Sequence, residues 1–223
     1  MKYIKKYKLF ESVNEQEVYE ICKKYGISNY TINEDLTIDV DGSIYLEVKG
    51  LTKLPLNFRN VSGHFYCNDN QLTSLEGAPT SVSGDFWCNS NKLTSLEGAP
   101  TSVGGNFHCY NNNLTNLEGA PSSIGGYFYC RYNNLTNLLG LEWKSFRDID
   151  LYKNPVHLIV KDWINNEDKI DLIGYFIDMH VIQEGSDKPK LILPRLEAFH
   201  EEVELEMDID FEEVKKYYEI IQV

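Results

Sequence analysis

One pattern of apolar and polar positions repeats every 21 residues through the middle of the chain. Each complete unit begins with a Gly-x-Phe-x-Cys segment, in which inward and outward positions alternate, and continues as Asn-x-Leu-Thr-x-Leu. Such alternation predicts a short half-buried strand, and a fixed period of about 20 to 50 residues is typical of a solenoid. Complete units occupy residues 61–81, 82–102, 103–123 and 124–144, and degenerate units occupy 40–60 and 145–165.

Within one unit, the alternation assigns each side chain to a face of the strand. Phe65 and Cys67 point toward the core, whereas His64 and Tyr66 point away from it. Copies stacked at about 4.8 Å then form a parallel sheet, and the leucines that follow complete the core. The asparagine of each unit is placed to bond backbone groups in the turn, and the Gly-Ala-Pro segment predicts an irregular return side. The recurring asparagines are Asn70, Asn91, Asn112, Asn133 and Asn154.

The sequences that flank the repeat differ from it in pattern. Residues 14–25 form an amphipathic helical pattern that ends at Gly26, and residues 30–48 alternate as strands do. Further helices are predicted over 156–179, in two pieces interrupted near Asn165, and over 191–203 and 211–219. We expect both flanks to seal the apolar ends of the solenoid, and the alternative for the C-terminal flank is an interaction domain of its own. The predicted regions are 1–35 (basic leader and capping helix), 36–165 (solenoid) and 166–223 (acidic, mainly helical cap).

The repeat resembles a leucine-rich repeat. Its F-x-C-x-x-N-x-L segment stands at the L-x-L-x-x-N-x-L positions, and N-K-L-T-S-L-E-G-A-P-T-S-V is closest to the short bacterial type. One extra residue, in the glycine-containing segment before the strand, makes the period of 21 residues about one residue longer than in that type. The recurring segment L-T-S-L-E-G-A-P is most similar to segments of repeat proteins encoded by tailed bacteriophages and related mobile elements. Over residues 36–165 the resemblance implies an α/β leucine-rich-repeat solenoid with short parallel strands, an irregular convex side and helical N-terminal and C-terminal caps.

The first twelve residues, MKYIKKYKLFES, form a short basic stretch with interleaved aromatic side chains. They resemble the amphipathic leader of proteins that tailed phages carry inside the capsid. That resemblance implies a phage virion structural or capsid-interior protein as the alternative function. The other interpretation is a helix or an edge strand that packs on the N-terminal cap.

Charge and cysteine content narrow the possible partners and compartments. A net charge of −13 repels phosphate backbones and disfavours nucleic acid as a partner. No apolar run approaches about 18 residues, so we expect no membrane partner. The resemblance to phage-encoded proteins implies a location in the bacterial host cytoplasm, with the virion as the alternative. Five cysteines, an odd number without an export signal, favour reduced thiols. Most of the acidity lies in residues 145–223, which carry a net −10, and such a charge run is usually a solvated face.

The sequence contains no constellation that points to catalysis or metal binding. The four cysteines of the complete units are expected in one row about 5 Å apart, which favours a place in the core over a tetrahedral metal site. Bacterial leucine-rich effectors of the ligase type carry a catalytic cysteine after the repeats, and no cysteine follows Cys130 here. We therefore predict a non-enzymatic protein with no cofactor and no metal.

The outward face of the repeat sheet, here called the aromatic face, carries the candidate binding residues. Its central column is Tyr45, Tyr66, Trp87, His108, Tyr129 and Asp150. Its leading column is Ser43, His64, Asp85, Asn106, Tyr127 and Asp148. Its trailing column is Glu47, Asn68, Asn89, Tyr110, Arg131 and Tyr152. The resemblance places this face on the concave side of the solenoid.

Exposed tyrosine and tryptophan among polar side chains are typical of binding hot spots, although stacked rings also stabilise a sheet by themselves. We expect the aromatic face to bind a protein partner, of the bacterial host or of a phage. Carbohydrate binding by the ring faces is the remaining alternative. The predicted binding residues are Tyr45, Tyr66, Trp87, His108, Tyr110, Tyr127, Tyr129, Arg131 and Tyr152.

Overall fold

The computed structural model describes residues 14–141, 146–164, 172–203 and 206–222. Its described part begins with helix α1 (Glu15–Tyr25), whose first turn is closed by a capping box. The Asn14 side chain accepts from the Glu17 N–H at 3.1 Å, and the Glu17 carboxylate accepts from the Asn14 N–H at 3.0 Å. Gly26 ends the helix with a φ of 68°, which confirms the predicted stop. The basic leader 1–12 lies outside the described residues.

Short strands then build a parallel β-solenoid, which confirms the predicted repeat architecture. In chain order they are β1 (Tyr30–Ile32), β2 (Ile38–Val40), β3 (Ile44–Tyr45), β4 (Phe58–Val61), β5 (Phe65–Tyr66), β6 (Ser81–Val82), β7 (Phe86–Trp87), β8 (Ser102–Val103), β9 (Phe107–His108), β10 (Ser123–Ile124), β11 (Tyr127–Tyr129) and β12 (Asp148–Asp150). The sheet expected from the Phe-x-Cys segments, here called the repeat sheet, has the order β12-β11-β9-β7-β5-β3 and is parallel throughout.

A second six-stranded sheet, with the order β1-β2-β4-β6-β8-β10, was not expected from the sequence. Its strands β6, β8 and β10 are serine–valine or serine–isoleucine pairs, and the apolar member, such as Val82 or Val103, lies in the core. The return side is therefore not irregular throughout. Each of these short strands follows a Gly-Ala-Pro segment and precedes the glycine-containing start of the next turn. Strand β1 pairs with β2 in the antiparallel sense, so it reverses the chain direction at the N-terminal edge of this sheet.

The core between the two sheets is a series of identical layers. Phe65, Phe86 and Phe107 stack nearly parallel, with ring centroids 5.3 and 5.5 Å apart. The cysteine of each complete unit is fully buried next to this stack, and burial raises the pKa of all four thiols. The predicted place of phenylalanine and cysteine in the core is thus confirmed, and the raised pKa values keep the thiols protonated and unreactive.

The asparagine of each unit joins its turn to the turn before. The Asn112 Oδ1 accepts from the backbone N–H of Leu93 at 3.0 Å, and its amide group donates to the carbonyls of Cys88 and Cys109, both at 3.1 Å. The same three kinds of bond recur at Asn70, Asn91, Asn133 and Asn154. The prediction that these side chains bond backbone groups is confirmed.

The C-terminal part mixes helices with a small sheet. In chain order its elements are α2 (His157–Ile164), α3 (Leu172–Asp178), β13 (Ile182–Gln183), β14 (Lys190–Ile192), α4 (Leu193–Glu202), α5 (Phe211–Val214) and β15 (Glu219–Ile221). The two helices predicted over 156–179 are present, although the predicted interruption near Asn165 lies outside the described residues. Strands β13, β14 and β15 form a three-stranded sheet.

The helix predicted over 211–219 is wrong beyond Val214. Residues 219–221 form β15 instead, in which Ile220 pairs with Leu191 of the parallel strand β14. Just before it, Tyr218 is 2% exposed, and its hydroxyl donates to the Thr136 carbonyl at 2.8 Å, so this segment is anchored to the solenoid. None of the helices within the described ranges is long and apolar enough to cross a membrane.

One position in every turn adopts a left-handed backbone, which gives a stability prediction. Val48 has a φ of 56° and is 72% exposed, and Asn111 occupies the equivalent position three turns later with the same φ. A β-branched residue is strained in this region, whereas asparagine tolerates it. We expect Val48→Asn to raise the free energy of unfolding by about 1 kcal/mol in urea denaturation. The reciprocal change Asn111→Val should lower it by a similar amount, and no effect of either change would contradict the assigned strain.

Candidate binding site

The central column of the aromatic face lies in register along the repeat sheet, as the period predicts. Tyr45 pairs with Tyr66, and the ladder continues through Trp87 and His108 to Tyr129. Asp150 closes the column opposite Tyr129. One side chain per strand therefore lines a straight row, with adjacent strands about 4.8 Å apart.

The rings of this row stack on one another. Centroids of Tyr45 and Tyr66 lie 5.4 Å apart with planes 9° from parallel, and those of Trp87 and His108 lie 3.7 Å apart. His108 also stacks on Tyr129 at 4.7 Å, while Tyr66 and Trp87 are tilted at 6.0 Å. Most ring faces are thus covered by a neighbouring ring, and the row exposes ring edges rather than ring faces, while Trp87 Nε1 and His108 Nε2 are themselves buried.

His108 lies in the predicted column but is not an exposed contact. It is 7% exposed, because the rings of Trp87 and Tyr129 cover both of its faces. Desolvation by this burial lowers the pKa of His108 to about 4, against a smaller raising effect of the Asp85 charge. The imidazole is therefore neutral at neutral pH and serves as one member of the stack.

Other predicted residues are well exposed. Tyr45 at one end of the row is 58% exposed, and Tyr127 and Tyr152 at the other end are 42% and 48% exposed. Tyr127 stacks on Tyr129 with centroids 5.9 Å apart. These tyrosines lie at the two ends of the face, with the part-buried Tyr66 and Trp87 between them.

The leading column has a structural role that the sequence did not suggest. Each of its first four side chains accepts a hydrogen bond from the backbone N–H of the equivalent residue one turn later. The acceptor distances are 3.0 Å for Ser43, 2.9 Å for His64, 2.6 Å for Asp85 and 2.8 Å for Asn106. The sequence contains a signal for this role, since all four residues at this repeat position have a short side chain, or an imidazole, that can accept a hydrogen bond. These four side chains hold neighbouring turns together.

The trailing column divides into two parts. At its C-terminal end, Arg131 lies over the Tyr110 ring, 5.1 Å from the centroid, and 3.5 Å from the Asp150 carboxylate. At its N-terminal end, several buried polar atoms have no hydrogen-bond partner within the described residues. On this face they are Glu47 Oε2, Asn68 Oδ1, Trp87 Nε1, Asn89 Oδ1 and His108 Nε2. Sequence reasoning did not find Glu47, Asn68 or Asn89, because side-chain pairing cannot be read from the period.

The chemical groups of the aromatic face are mainly aromatic rings and hydrogen-bonding groups. Within the described ranges, no group of three or more histidine, cysteine, aspartate or glutamate side chains is arranged to hold a metal ion. The face offers ring edges, amide oxygens and a carboxylate, which suit hydrogen bonding to a macromolecular partner. Comparisons with protein-family models, with curated proteins and with solved structures give no match.

Proposed function

We propose that this chain is a non-enzymatic protein-binding module of the leucine-rich-repeat type, encoded by a phage and acting inside a bacterial cell. The observation that carries the proposal is the aromatic face, where exposed tyrosines flank a row of stacked rings with polar edges. Tyrosine and tryptophan are enriched at protein interfaces because they combine apolar area with a hydrogen-bonding group. A host or phage protein is the proposed partner.

The stacking supports a protein partner over a carbohydrate. A sugar packs its apolar face against an open aromatic ring, and the inner rings of the row have their faces covered by neighbours. A protein partner can instead pair its backbone and side chains with ring edges. Partial burial and the nearby Asp85 charge raise the pKa of Tyr66, so its hydroxyl remains a neutral donor for such a contact.

The flanking elements are proposed to seal the ends of the solenoid. Val18 and Cys22 of α1 are fully buried in the same core cluster as the repeat residues. At the other end, Tyr218 and Phe176 belong to that cluster as well. Sealed ends keep a solenoid soluble and leave its lateral face as the surface for a partner.

Removing two hydroxyl groups from the aromatic face tests the proposal without breaking the stack. We expect Tyr66→Phe combined with Tyr129→Phe to reduce capture of the partner from bacterial lysate at least tenfold, because each lost hydrogen bond at an interface weakens binding by about 1 kcal/mol. Quantitative mass spectrometry of the proteins retained on the immobilised chain measures the effect. Thermal melting should remain within a few degrees of the parent, since both rings are kept.

The matched control is Tyr19→Phe combined with Tyr217→Phe, which removes two exposed hydroxyls outside the aromatic face. This control should leave capture unchanged. Equal retention of every protein by the parent and the Tyr66/Tyr129 variant would reject the aromatic face as the binding surface.

A further inference from the structure

The unpartnered atoms of the aromatic face are mostly oxygens. Glu47, Asn68 and Asn89 each have one buried side-chain oxygen without a hydrogen-bond partner within the described residues. A buried polar group without a partner costs about 1 to 3 kcal/mol, which a ligand with matching groups recovers when it binds. Asn89 is only 3% exposed, and its amide group donates to the Ser90 hydroxyl at 3.3 Å while its Oδ1 accepts from no described residue. The missing group at this site is therefore a hydrogen-bond donor.

These three residues occupy the same repeat position on consecutive turns. The backbone N–H of Val48 bonds the Asn68 carbonyl at 3.2 Å, and that of Asp69 bonds the Asn89 carbonyl at 3.1 Å, so the column is in register. With strands about 4.8 Å apart, residues at one repeat position follow one another along a row about 10 Å long. Such a row does not converge on a metal ion at about 2.0 to 2.6 Å, whereas N–H donors of an organic cation can bond oxygens spread along it.

The charged side chains at the N-terminal end of the aromatic face are negative, which matches a cationic ligand. Glu47 forms no ion pair with a described residue, and Asp85 lies in the leading column of the same sheet. The one arginine of the three columns, Arg131, lies at the far end, where it contacts Tyr110 and Asp150. The chain as a whole carries a net −13, which attracts basic partners over a longer range.

We propose that the row Glu47–Asn68–Asn89 receives a basic side chain, lysine or arginine, of the protein that binds the aromatic face. This inference rests on the proposed function and specifies the chemistry of its partner. Glu47 and Asn68 are part-buried beside the exposed Tyr45, so the cation enters from that end of the row. The Trp87 N–H, which also lacks a partner, donates to a carbonyl oxygen of the same bound segment.

Nuclear magnetic resonance titration of the full chain tests the site with defined probes. The probes are N-acetyl-arginine amide and N-acetyl-lysine amide, with N-acetyl-glutamine amide as the uncharged comparison. We expect the cationic probes to shift the side-chain amide signals of Asn68 and Asn89 saturably, with a dissociation constant on the order of millimolar. The Trp87 indole signal, identified by its loss in Trp87→Phe, should shift as well. The uncharged probe should cause no saturable change.

Two substitutions test whether the shifts of the NMR signals depend on the Glu47 carboxylate. Glu47→Gln should weaken binding of the cationic probes at least tenfold, whereas Glu97→Gln, at an exposed position of the return side, should leave it unchanged. Equal response to all three probes, no saturable shift, or full binding by Glu47→Gln would each overturn the cation site. If the probes fail while capture still depends on Tyr66 and Tyr129, the inference falls and the proposed function stands. If the probes bind while capture is independent of those tyrosines, the proposed function falls, and the row is a cation site without a partner protein assigned to it.

Discussion

Replacement of Asn112 by alanine is expected to lower the free energy of unfolding by about 3 to 5 kcal/mol, measured by urea denaturation. The side chain is 7% exposed and satisfies the Leu93 N–H together with the carbonyls of Cys88 and Cys109. Alanine leaves the Leu93 N–H without a partner and removes one of two amide donors from each carbonyl, since Cys88 also accepts from Asn91 and Cys109 from Asn133. The buried unpartnered N–H costs about 1 to 3 kcal/mol, each lost hydrogen bond costs about 1 kcal/mol, and a cavity adds to the loss.

Two further substitutions separate the hydrogen bonds from the loss of volume. Asn112→Asp keeps an acceptor for Leu93 but places a carboxylate against two carbonyl oxygens, so it should destabilise at least as much as alanine. The control Asn113→Ala changes an exposed side chain of the same type next to it and should cost less than about 0.5 kcal/mol. A loss for Asn112→Ala no larger than for Asn113→Ala would show that the inter-turn bonds contribute little.

Acidification should destabilise the protein through His108. The pKa of this buried imidazole is about 4 in the folded chain and about 6.5 in an unfolded chain. Between these values the unfolded state binds a proton that the folded state does not, so stability falls as the pH decreases from about 6.5 to about 4. The full difference corresponds to about 3 kcal/mol, of which most is lost by about pH 4.5.

The variant His108→Phe isolates this contribution, because phenylalanine keeps an aromatic ring between Trp87 and Tyr129 but cannot be protonated. The loss of unfolding free energy between about pH 7.5 and about pH 4.5 should be smaller in the variant by about 2 kcal/mol. The exposed His180, replaced by asparagine, is the control and should leave the pH dependence of the parent unchanged. Identical pH dependence in the parent and His108→Phe would refute the buried neutral state of His108.

The period made much of the solenoid predictable. The spacing of 21 residues alone predicts Phe86 beside Phe107 and Trp87 beside His108, because identical units must stack in register, and the structure has both pairs. The role of Asn112 also followed, since a buried amide in every turn has only backbone groups to bond. Strand alternation was sufficient to separate the core from the aromatic face.

The second sheet could not be read from the same pattern. Three of its strands, β6, β8 and β10, are two residues long, which is too short to show an alternation, and a serine–valine pair also occurs in loops. Strand β15 was missed for a related reason. Its Ile220 pairs with Leu191 of β14, which lies about 30 residues earlier, and no local pattern encodes that partner.

The details of the candidate site depend on side-chain packing, which a period does not specify. The sequence placed His108 on the outward face, but only the stacking distances show that its neighbours bury it. The sequence assigned no inter-turn role to His64 and Asp85 of the leading column, and their bonds to the next turn are evident only from the packing. The side-chain oxygens of Asn68 and Asn89 are buried without a hydrogen-bond partner among the described residues, and this too depends on packing.

The inter-turn bonds of Asn112 have a consequence for how such a chain can change in length. A unit such as 82–102 meets its neighbours through the same donors and acceptors that 61–81 and 103–123 present. Duplication or loss of one whole unit therefore preserves every junction, while a change of any other length breaks two of them. The aromatic face can therefore be lengthened or shortened only by whole units, each of which contributes one position to its central column.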